Sequence, residues 1–522
     1  MEDIRKEFIE AITTSYSPKG AAIQLGAGIL QGQVLSGAKV NLALKMMNRH
    51  GLIAGATGTG KTRTLQLIAE QLSDAGVPVF MLDVKGDLSG LSQPGTTNDA
   101  LLERGKLVGV PFEPTSFPVE IFSLSGKLGA PMRITIEDFG PVLLSRILDL
   151  NDTQSGVLAA LFKYAADQGW PLVDLADVKK LLSYLSEGAG AAAIKDDYGK
   201  ISTATSGTIL RKIVAVEQQG LASIFGEKEF DIGDLFERID GRGVISLLNI
   251  ADIQDQPVLY STFLLSLLSQ LFKQLPEVGD LEKPKLLFFF DEAHLLFNGA
   301  SKAFLTQVEQ IVRLIRSKGI GVFFCTQAAT DIPESVLGQL GNRVQHALRA
   351  FTPNDAENLR KTVRTYPHSK FYEIDKILTS LGTGQALITV LNDKGIPTEV
   401  VATHLVAARA VMGPCNAERY KALINASAFT MKYQQAVNRR SASEIVDEKM
   451  ATIEAQKQQQ QTHRDDEAAS KSRGGKGGST RSRRQTPLEA AQTQASRALA
   501  REGVKILGKI ASGILGAIFK KK

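Results

Sequence analysis

The stretch His50-Gly51-Leu52-Ile53-Ala54-Gly55-Ala56-Thr57-Gly58-Thr59-Gly60-Lys61-Thr62 decides the fold. Its second half has the spacing G-x-x-x-x-G-K-[ST] of a phosphate-binding loop. Such a loop brings several backbone N–H groups onto one phosphate chain. Side chains would obstruct it, so Gly55, Gly58 and Gly60 fall at the bends. Lys61 supplies a point charge for the β- and γ-phosphates, and Thr62 a hydroxyl for Mg²⁺. The flanks agree with this reading. His50 to Ala54 is a short apolar run of strand character, and beyond the loop Leu65, Ile68, Ala69 and Leu72 share one helical face. Strand, glycine-rich loop, then a helix whose positive end meets the anion is the order this chemistry requires. Nucleotide contacts are expected from Gly55, Ala56, Thr57, Gly58, Thr59, Gly60, Lys61, Thr62 and Arg63.

The chain has 522 residues, more than one compact core holds, and predicts one large domain with insertions and appendages. Hydrophobic content of 43% is ordinary for a globular chain. A net charge of +6 and a pI near 9.0 suit nucleic acid or an acidic membrane surface and specify neither. Cys325 and Cys415 stand far apart, without metal-ligand spacing. That excludes a disulfide framework and fits a reducing cytoplasm, the expected compartment. Met1-Glu2-Asp3-Ile4-Arg5 does not read as a signal peptide, and no uninterrupted apolar run has the length of a membrane span. His50, His294, His346, His368, His404 and His463 share no ligand spacing, so Mg²⁺ is the one metal expected.

Val77 to Asp83 is a β-rich apolar run of parallel-strand character, ending in Asp83-Val84-Lys85-Gly86-Asp87. Acids at such a strand end read equally as nucleotide or Mg²⁺ contacts, as coupling to a partner, or as a solvated turn. Leu107 to Leu124, broken by Pro111, Pro114 and Pro118, predicts short edge strands. From about 135 to 226 the period is helical. Phe139, Val142, Leu143, Ile147 and Leu150 form one stripe, and Leu175, Val178, Leu181, Leu182 and Leu185 another. Lys285-Leu286-Leu287-Phe288-Phe289-Phe290-Asp291-Glu292 is a buried strand ending in two acids, a Walker B pattern. Asp291 is placed to orient Mg²⁺ and Glu292 to polarise the attacking water. Ile320 to Gln327 is a further buried strand, whose Gln327 can sense the γ-phosphate.

These segments predict an α/β fold: a RecA-like P-loop NTPase sheet with a helical insertion and a flexible helical C-terminal tail. The organisation expected is a short N-terminal segment over 1–48, an ATPase domain over 49–408 with the helical insertion at about 135–226, and a helical Gln/Ala-rich extension over 409–462. A basic disordered linker over 463–486 and an amphipathic helix over 487–522 complete it. On that last helix Leu507, Ile510, Ala511, Ile514 and Ile518 share a face, which suits a protein partner or an anionic membrane surface.

With these motifs in order, the chain resembles the HerA/FtsK superfamily of ring-forming DNA-pumping ATPases, and most of all its bacterial HerA-like members of the YjgR type. The segments that carry the resemblance are His50 to Thr62, Asp83-Val-Lys-Gly-Asp87, Phe290-Asp-Glu-Ala-His294 and Arg316 to Gln327. The resemblance implies a hexamer with ATP between subunits and an arginine finger given in trans, with Arg316, Arg343 and Arg349 as candidates by position. Two features depart from it. About fifty N-terminal residues do not hold the β-barrel that HerA proteins carry there, and the DNA-reading wing-helix and membrane spans of FtsK are missing. Asp291-Glu-Ala-His294 also spells the DEAH-box signature, but Cys325-Thr-Gln327 stands where those helicases carry Ser-Ala-Thr, and after residue 330 there is too little patterned chain for their second RecA-like domain. The expected function is Mg²⁺-dependent ATP hydrolysis in a hexameric DNA translocase or helicase-like motor. The alternatives are a motor for protein or nucleoprotein cargo of the conjugation or secretion type, and an ATP-switched scaffold with little turnover.

Overall fold

The computed structural model describes residues 2–195 and 197–473. The helix expected over 487–522 lies outside them. Met1–Met450 form one compact unit. A second begins at Ala451, and its described part belongs to the helix Ala442–Arg473. That helix runs into the stretch read as disordered linker, which starts at 463. Ala, Gln, Glu and Lys cost a helix little, and they dominate this sequence.

The unit is built on one mixed sheet. In chain order its strands are β1 (Ala22–Leu30), β2 (Gln33–Ala43), β3 (Gly51–Ala54), β4 (Val79–Asp83), β5 (Val119–Ser123) and β6 (Ala130–Pro131). A small separate hairpin, β7 (Arg238–Ile239) and β8 (Arg242–Gly243), follows. Then come β9 (Ile245–Asn249), β10 (Leu286–Phe290), β11 (Ile320–Thr326), β12 (Asn342–Gln345), β13 (Gln385–Thr389) and β14 (Val401–Leu405). The twelve-stranded order is β2-β1-β14-β13-β12-β3-β11-β10-β4-β9-β5-β6. From β12 through β6 every pairing is parallel; β13, β14, β1 and β2 add an antiparallel flank.

The central strands are buried on both faces, and the two-residue period of a strand divides their side chains between two cores. Leu52, Phe80, Phe288, Phe290 and Phe324 face one, which also takes the helical region and the helix Pro257–Gln274. Ile53, Met81, Phe289, Phe323 and Cys325 face the other, closed by the helix Lys61–Asp74. Phe80 stacks on Phe288 and Phe290 on Phe324, with ring centroids 4.6 and 5.3 Å apart. Cys325 is a buried, free core thiol.

Three expectations change. Residues 1–48 are not set apart from the sheet: they supply the helix Glu2–Ser15 and two of its strands, with β1 antiparallel to β14 in the register Gly26↔Leu405. Without them β14 would present an unpaired edge. Phe8 and Ile12 of the helix are fully buried beneath this flank. Between Leu107 and Leu124, only Val119–Ser123 is strand; Leu107 and Val108 end the helix Asp99–Val108, and the prolines between deny the chain a ladder. In the helical region Val142 leaves its predicted stripe and is 42% exposed. Gly140, at φ 81° and ψ 162°, breaks the helix just before Pro141 and resets its phase. The other stripe stands as read, with Leu175, Val178, Leu181, Leu182 and Leu185 all buried.

Gly51 tests how tightly the two cores are keyed. A Cβ there would lie 2.3 Å from the Phe323 ring, which is itself buried. Gly51→Ala is therefore expected to destabilise the unit by about 1–3 kcal/mol, read as a lowered denaturant midpoint with an unchanged slope. An unchanged midpoint would show that the ring moves aside freely.

Candidate nucleotide-binding site

The phosphate-binding loop leaves β3 and turns through three left-handed glycines, Gly55 (φ 154°), Gly58 (φ 78°) and Gly60 (φ 112°). Gly55 is enforced by space as well, since a Cβ would stand 2.5 Å from that of His346. Neighbouring strands hold the loop. Gly55 N donates to Thr326 O at 3.3 Å, Ala56 N to Ala347 O at 2.9 Å, and His346 N to Ala54 O at 2.7 Å. The His346 ring reaches under the loop, with Nε2 2.9 Å from Thr64 Oγ1. Lys61 Nζ donates to Gly55 O at 2.7 Å and Ala56 O at 3.2 Å, which keeps the ammonium at the mouth of the loop.

A cleft of about 480 Å³ opens beside the loop. That is an ordinary volume for a small-molecule site. Gly58, Gly60, Lys61, Thr62 and Arg63 form one wall, and Asp83, Asp87, Asp291 and Glu292 face it. Only β11 separates β3 from β10, so the carboxyl ends of the P-loop strand and of the Asp291 strand are brought to one place. Four cations, Lys61, Arg63, Lys85 and Arg104, and four acids line the cleft. This balance suits a polyanion that arrives with a divalent metal. Leu101, Leu405, Val406 and Met412 give the cleft an apolar end.

The acids differ in setting. Asp291 Oδ1 accepts the Glu292 N–H at 2.9 Å. Burial raises the Asp291 pKa, as does the neighbouring Glu292 charge, while Lys61 opposes the shift. Such a carboxylate gains most from a cation beside it. Glu292 holds a left-handed backbone, φ 50°, unusual for a side chain of its kind. Its buried Oε2 has no hydrogen-bond partner, and His294 Nδ1 lies 3.4 Å away. Asp83 organises its own turn, accepting from Asp87 N at 3.0 Å and Leu88 N at 3.2 Å. Burial, then the charge of Asp87, pushes its pKa up to about 7. The Asp83–Asp87 turn is thus both a built turn and part of the cleft wall. Among the described residues no cluster of three His, Cys, Asp or Glu could cage a metal. Thr62 and Asp291 fit Mg²⁺ in its usual mode, shared with phosphate oxygens and water.

The remaining sequence candidates are dispersed. Gln327 follows β11 on the same carboxyl edge, between the two motifs, but it is exposed and does not line the cleft. Arg316 precedes β11 and Arg343 begins β12, so both stand on the opposite, amino edge of the sheet. Arg343 donates to Leu340 O at 3.2 Å and Thr365 O at 3.1 Å, and Arg349 to Thr379 O at 2.8 Å. None of the three arginines lines the cleft of its own chain.

Three contributors are absent from the motifs. Arg104 enters from the helix Asp99–Val108, anchored on Leu405 O at 3.1 Å. Glu70, buried in the P-loop helix, accepts Arg409 N at 2.7 Å and Ala410 N at 3.0 Å, and so fixes the segment that forms the apolar end. His346 is the third. None of the three gave a signal in the sequence; the helical neighbours of Glu70 are Gln66, Leu67, Ser73 and Asp74, so its face reads as polar.

The family model described as helicase HerA-like C-terminal matches residues 29–522. The DNA double-strand break repair helicase HerA of Sulfolobus acidocaldarius is 20% identical over 376 residues, which cover 68% of this chain and 64% of that protein. The chain thus spans under two thirds of that relative's length. Solved structures similar to it include the unbound bacterial conjugative coupling protein TrwB (13% identity, 77% of this chain and 92% of that one, TM-score 0.48). VirB4 of Thermoanaerobacter pseudethanolicus (17%, 76% and 99%, 0.48) and plasmid coupling protein TrwB with ADP and Mg²⁺ (13%, 76% and 97%, 0.46) are others. No helix among the described residues is long and apolar enough to cross a membrane.

The contact of His346 with Thr64 carries a pH signature. Burial, followed by the charge of Lys61, lowers the imidazole pKa to about 4. Between that value and the ordinary one near 6.5 the unfolded chain binds more protons than the folded one. Stability from a neutral His346 is therefore full above pH 6.5 and lost as pH falls through 4. His346→Asn is expected to cost about 1–3 kcal/mol at pH 7.5, with the gap to the parent closing towards pH 4. Denaturation midpoints across that range decide it, and a gap independent of pH would count against a buried neutral imidazole.

Proposed function

The chain belongs to the helicase HerA-like C-terminal family, and on that footing we propose that it is a Mg²⁺-dependent ATPase that drives a hexameric motor on DNA, acting in the cytoplasm. Membership supports a P-loop ATPase; the motor, its cargo and its ring are the further steps of the proposal. One arrangement carries it: Lys61 and Thr62 meet Asp291 and Glu292 across a single cleft, because their strands end side by side on one sheet edge. In this reading the loop amides and Lys61 hold the β- and γ-phosphates, and Thr62 and Asp291 hold Mg²⁺, which neutralises phosphate charge when bound. Glu292, whose buried Oε2 accepts no hydrogen bond, takes the proton of the attacking water. Gln327, beside the cleft, reports on the γ-phosphate. Arg343 and Arg349 are committed to carbonyls of their own chain, so a finger given to a neighbouring copy falls to Arg316. The basic composition and the curated HerA relative favour DNA as cargo.

Steady-state ATP hydrolysis by the purified chain, with and without single- and double-stranded DNA at two salt concentrations, tests the proposal. Lys61→Ala and Glu292→Gln are each expected to lower turnover by about 10²-fold or more, with Glu292→Gln retaining bound ATP. DNA should stimulate the parent, less so at higher salt. Undiminished turnover in Lys61→Ala would sink the site assignment. Turnover indifferent to DNA would move the proposal to a protein or nucleoprotein cargo, and ATP binding without turnover to a scaffold.

A further inference from the structure

A second cavity, of about 520 Å³, lies at the amino edge of the same sheet and shares no lining residue with the nucleotide cleft. Arg49 and His50 enter it just before β3, Arg316 just before β11, and Arg343 at the start of β12. No Asp or Glu lines it. Among the described residues neither the Arg49 nor the Arg316 guanidinium has a hydrogen-bond or ion-pair partner. Arg343 is spent on the Leu340, Thr365 and Leu337 carbonyls, but its charge repels the other two, and Arg49 and Arg316 each keep a planar fork free for an oxyanion.

His50 is the independent observation. It is 2% exposed, and its Nδ1 accepts the Val322 N–H at 3.0 Å. An accepting Nδ1 fixes the proton on Nε2. Nε2 is buried and has no partner. Burial lowers the imidazole pKa to about 4; the Val312 backbone carbonyl opposes that shift, and the charges of Arg316 and Arg49 add to it. His50, which lines the cavity, thus carries a buried N–H without a well-formed hydrogen bond, the Val312 carbonyl beside it only favouring the proton. Its geometry is fixed from both sides: Asn342 N donates to His50 O at 3.2 Å, and the Asn342 side-chain amide to the same oxygen at 2.9 Å.

We propose that this cavity is a second anion site, in which the unspent guanidiniums of Arg49 and Arg316 with the Nε2–H of His50 hold a phosphate group, and Arg343, already bonded to carbonyls of its own chain, adds its charge to the wall. A multiply charged phosphate matches three guanidiniums better than a single carboxylate does. The group comes from a nucleic-acid backbone or from a free polyphosphate, and the two sources are separable. Arg49 is the informative position, because it has no part in the hydrolysis reading, whereas Arg316 does.

The experiment uses the full chain with its P-loop saturated by Mg²⁺ and a slowly hydrolysed ATP analogue. Pyrophosphate binding is measured by calorimetry, and binding of a fluorescent DNA oligonucleotide by anisotropy over a salt series. Arg49→Glu is expected to weaken whichever of the two binds by about tenfold or more, with analogue affinity and melting profile unchanged and Arg49→Lys recovering part of the loss. Pyrophosphate binding lost in Arg49→Glu identifies a free polyphosphate. DNA binding alone lost, with a salt slope lower by about one in Arg49→Ala, identifies the backbone. Gln339→Glu puts a carboxylate on the exposed rim of the same cavity and should give the same loss, so it decides the matter if Arg49→Glu does not fold. Affinities for both probes within twofold of the parent in these variants, or no binding of either probe to the parent, would overturn the proposal.

Discussion

A loop that offers its backbone N–H groups to a ligand cannot spend them on itself, so it has to be held from outside. Most of this structure answers that demand. The base of the loop hangs on Thr326 O and Ala347 O, at the ends of the two strands that flank β3. Those strands must themselves be immobile, and the alternation of phenylalanines into two cores makes them so. His346 closes the arrangement. Its backbone continues the ladder onto Ala54, and its ring supports the first turn of the P-loop helix through Thr64. Three strands and a helix converge beneath the loop and hold it, while its glycines take the left-handed bends, Gly55 also because His346 leaves no room for a side chain.

The same parallel sheet separates two chemistries. On the carboxyl edge the strand ends bring four acids to a cleft whose cations come from the P-loop helix, from Lys85 and from Arg104. On the amino edge they deliver guanidiniums and no acid. Parallel strands make this division automatic, because all their starts lie on one edge and all their ends on the other. His50 and the loop glycines belong to one short stretch of sequence, yet the length of β3 places them on opposite edges of the sheet. Any movement of β3 relative to β11 or β12 would therefore be felt on both.

How much of this was legible in the sequence follows from the range of the forces involved. The phosphate loop, the Asp291-Glu292 strand end and the Leu175–Leu185 stripe are local: each is written within a few residues, and each element is found where those residues put it. The flank of the sheet is not local. β1 has an acceptable strand sequence, but only its antiparallel partner β14, some hundreds of residues on, makes it part of the sheet. Val142 fits its stripe until Gly140 and Pro141 change the helix phase, and a period counted along the sequence does not register a break in the backbone. His346 and Glu70 read as unremarkable polar residues, since their work lies in contacts with Thr64 and with the Arg409–Ala410 backbone.

The arginines show the same limit most sharply. In sequence Arg316, Arg343 and Arg349 are equivalent: each is a cation near a strand of an ATPase core. In the structure they differ by what their guanidiniums already hold. Arg343 and Arg349 donate to main-chain carbonyls of their own chain, Arg343 to Leu340 O and Thr365 O and Arg349 to Thr379 O. Arg316 holds nothing among the described residues, so its charge is available to an outside ligand. Charge alone does not make a cation functional; an unspent one does, and whether it is spent is settled by carbonyls that arrive from distant parts of the chain.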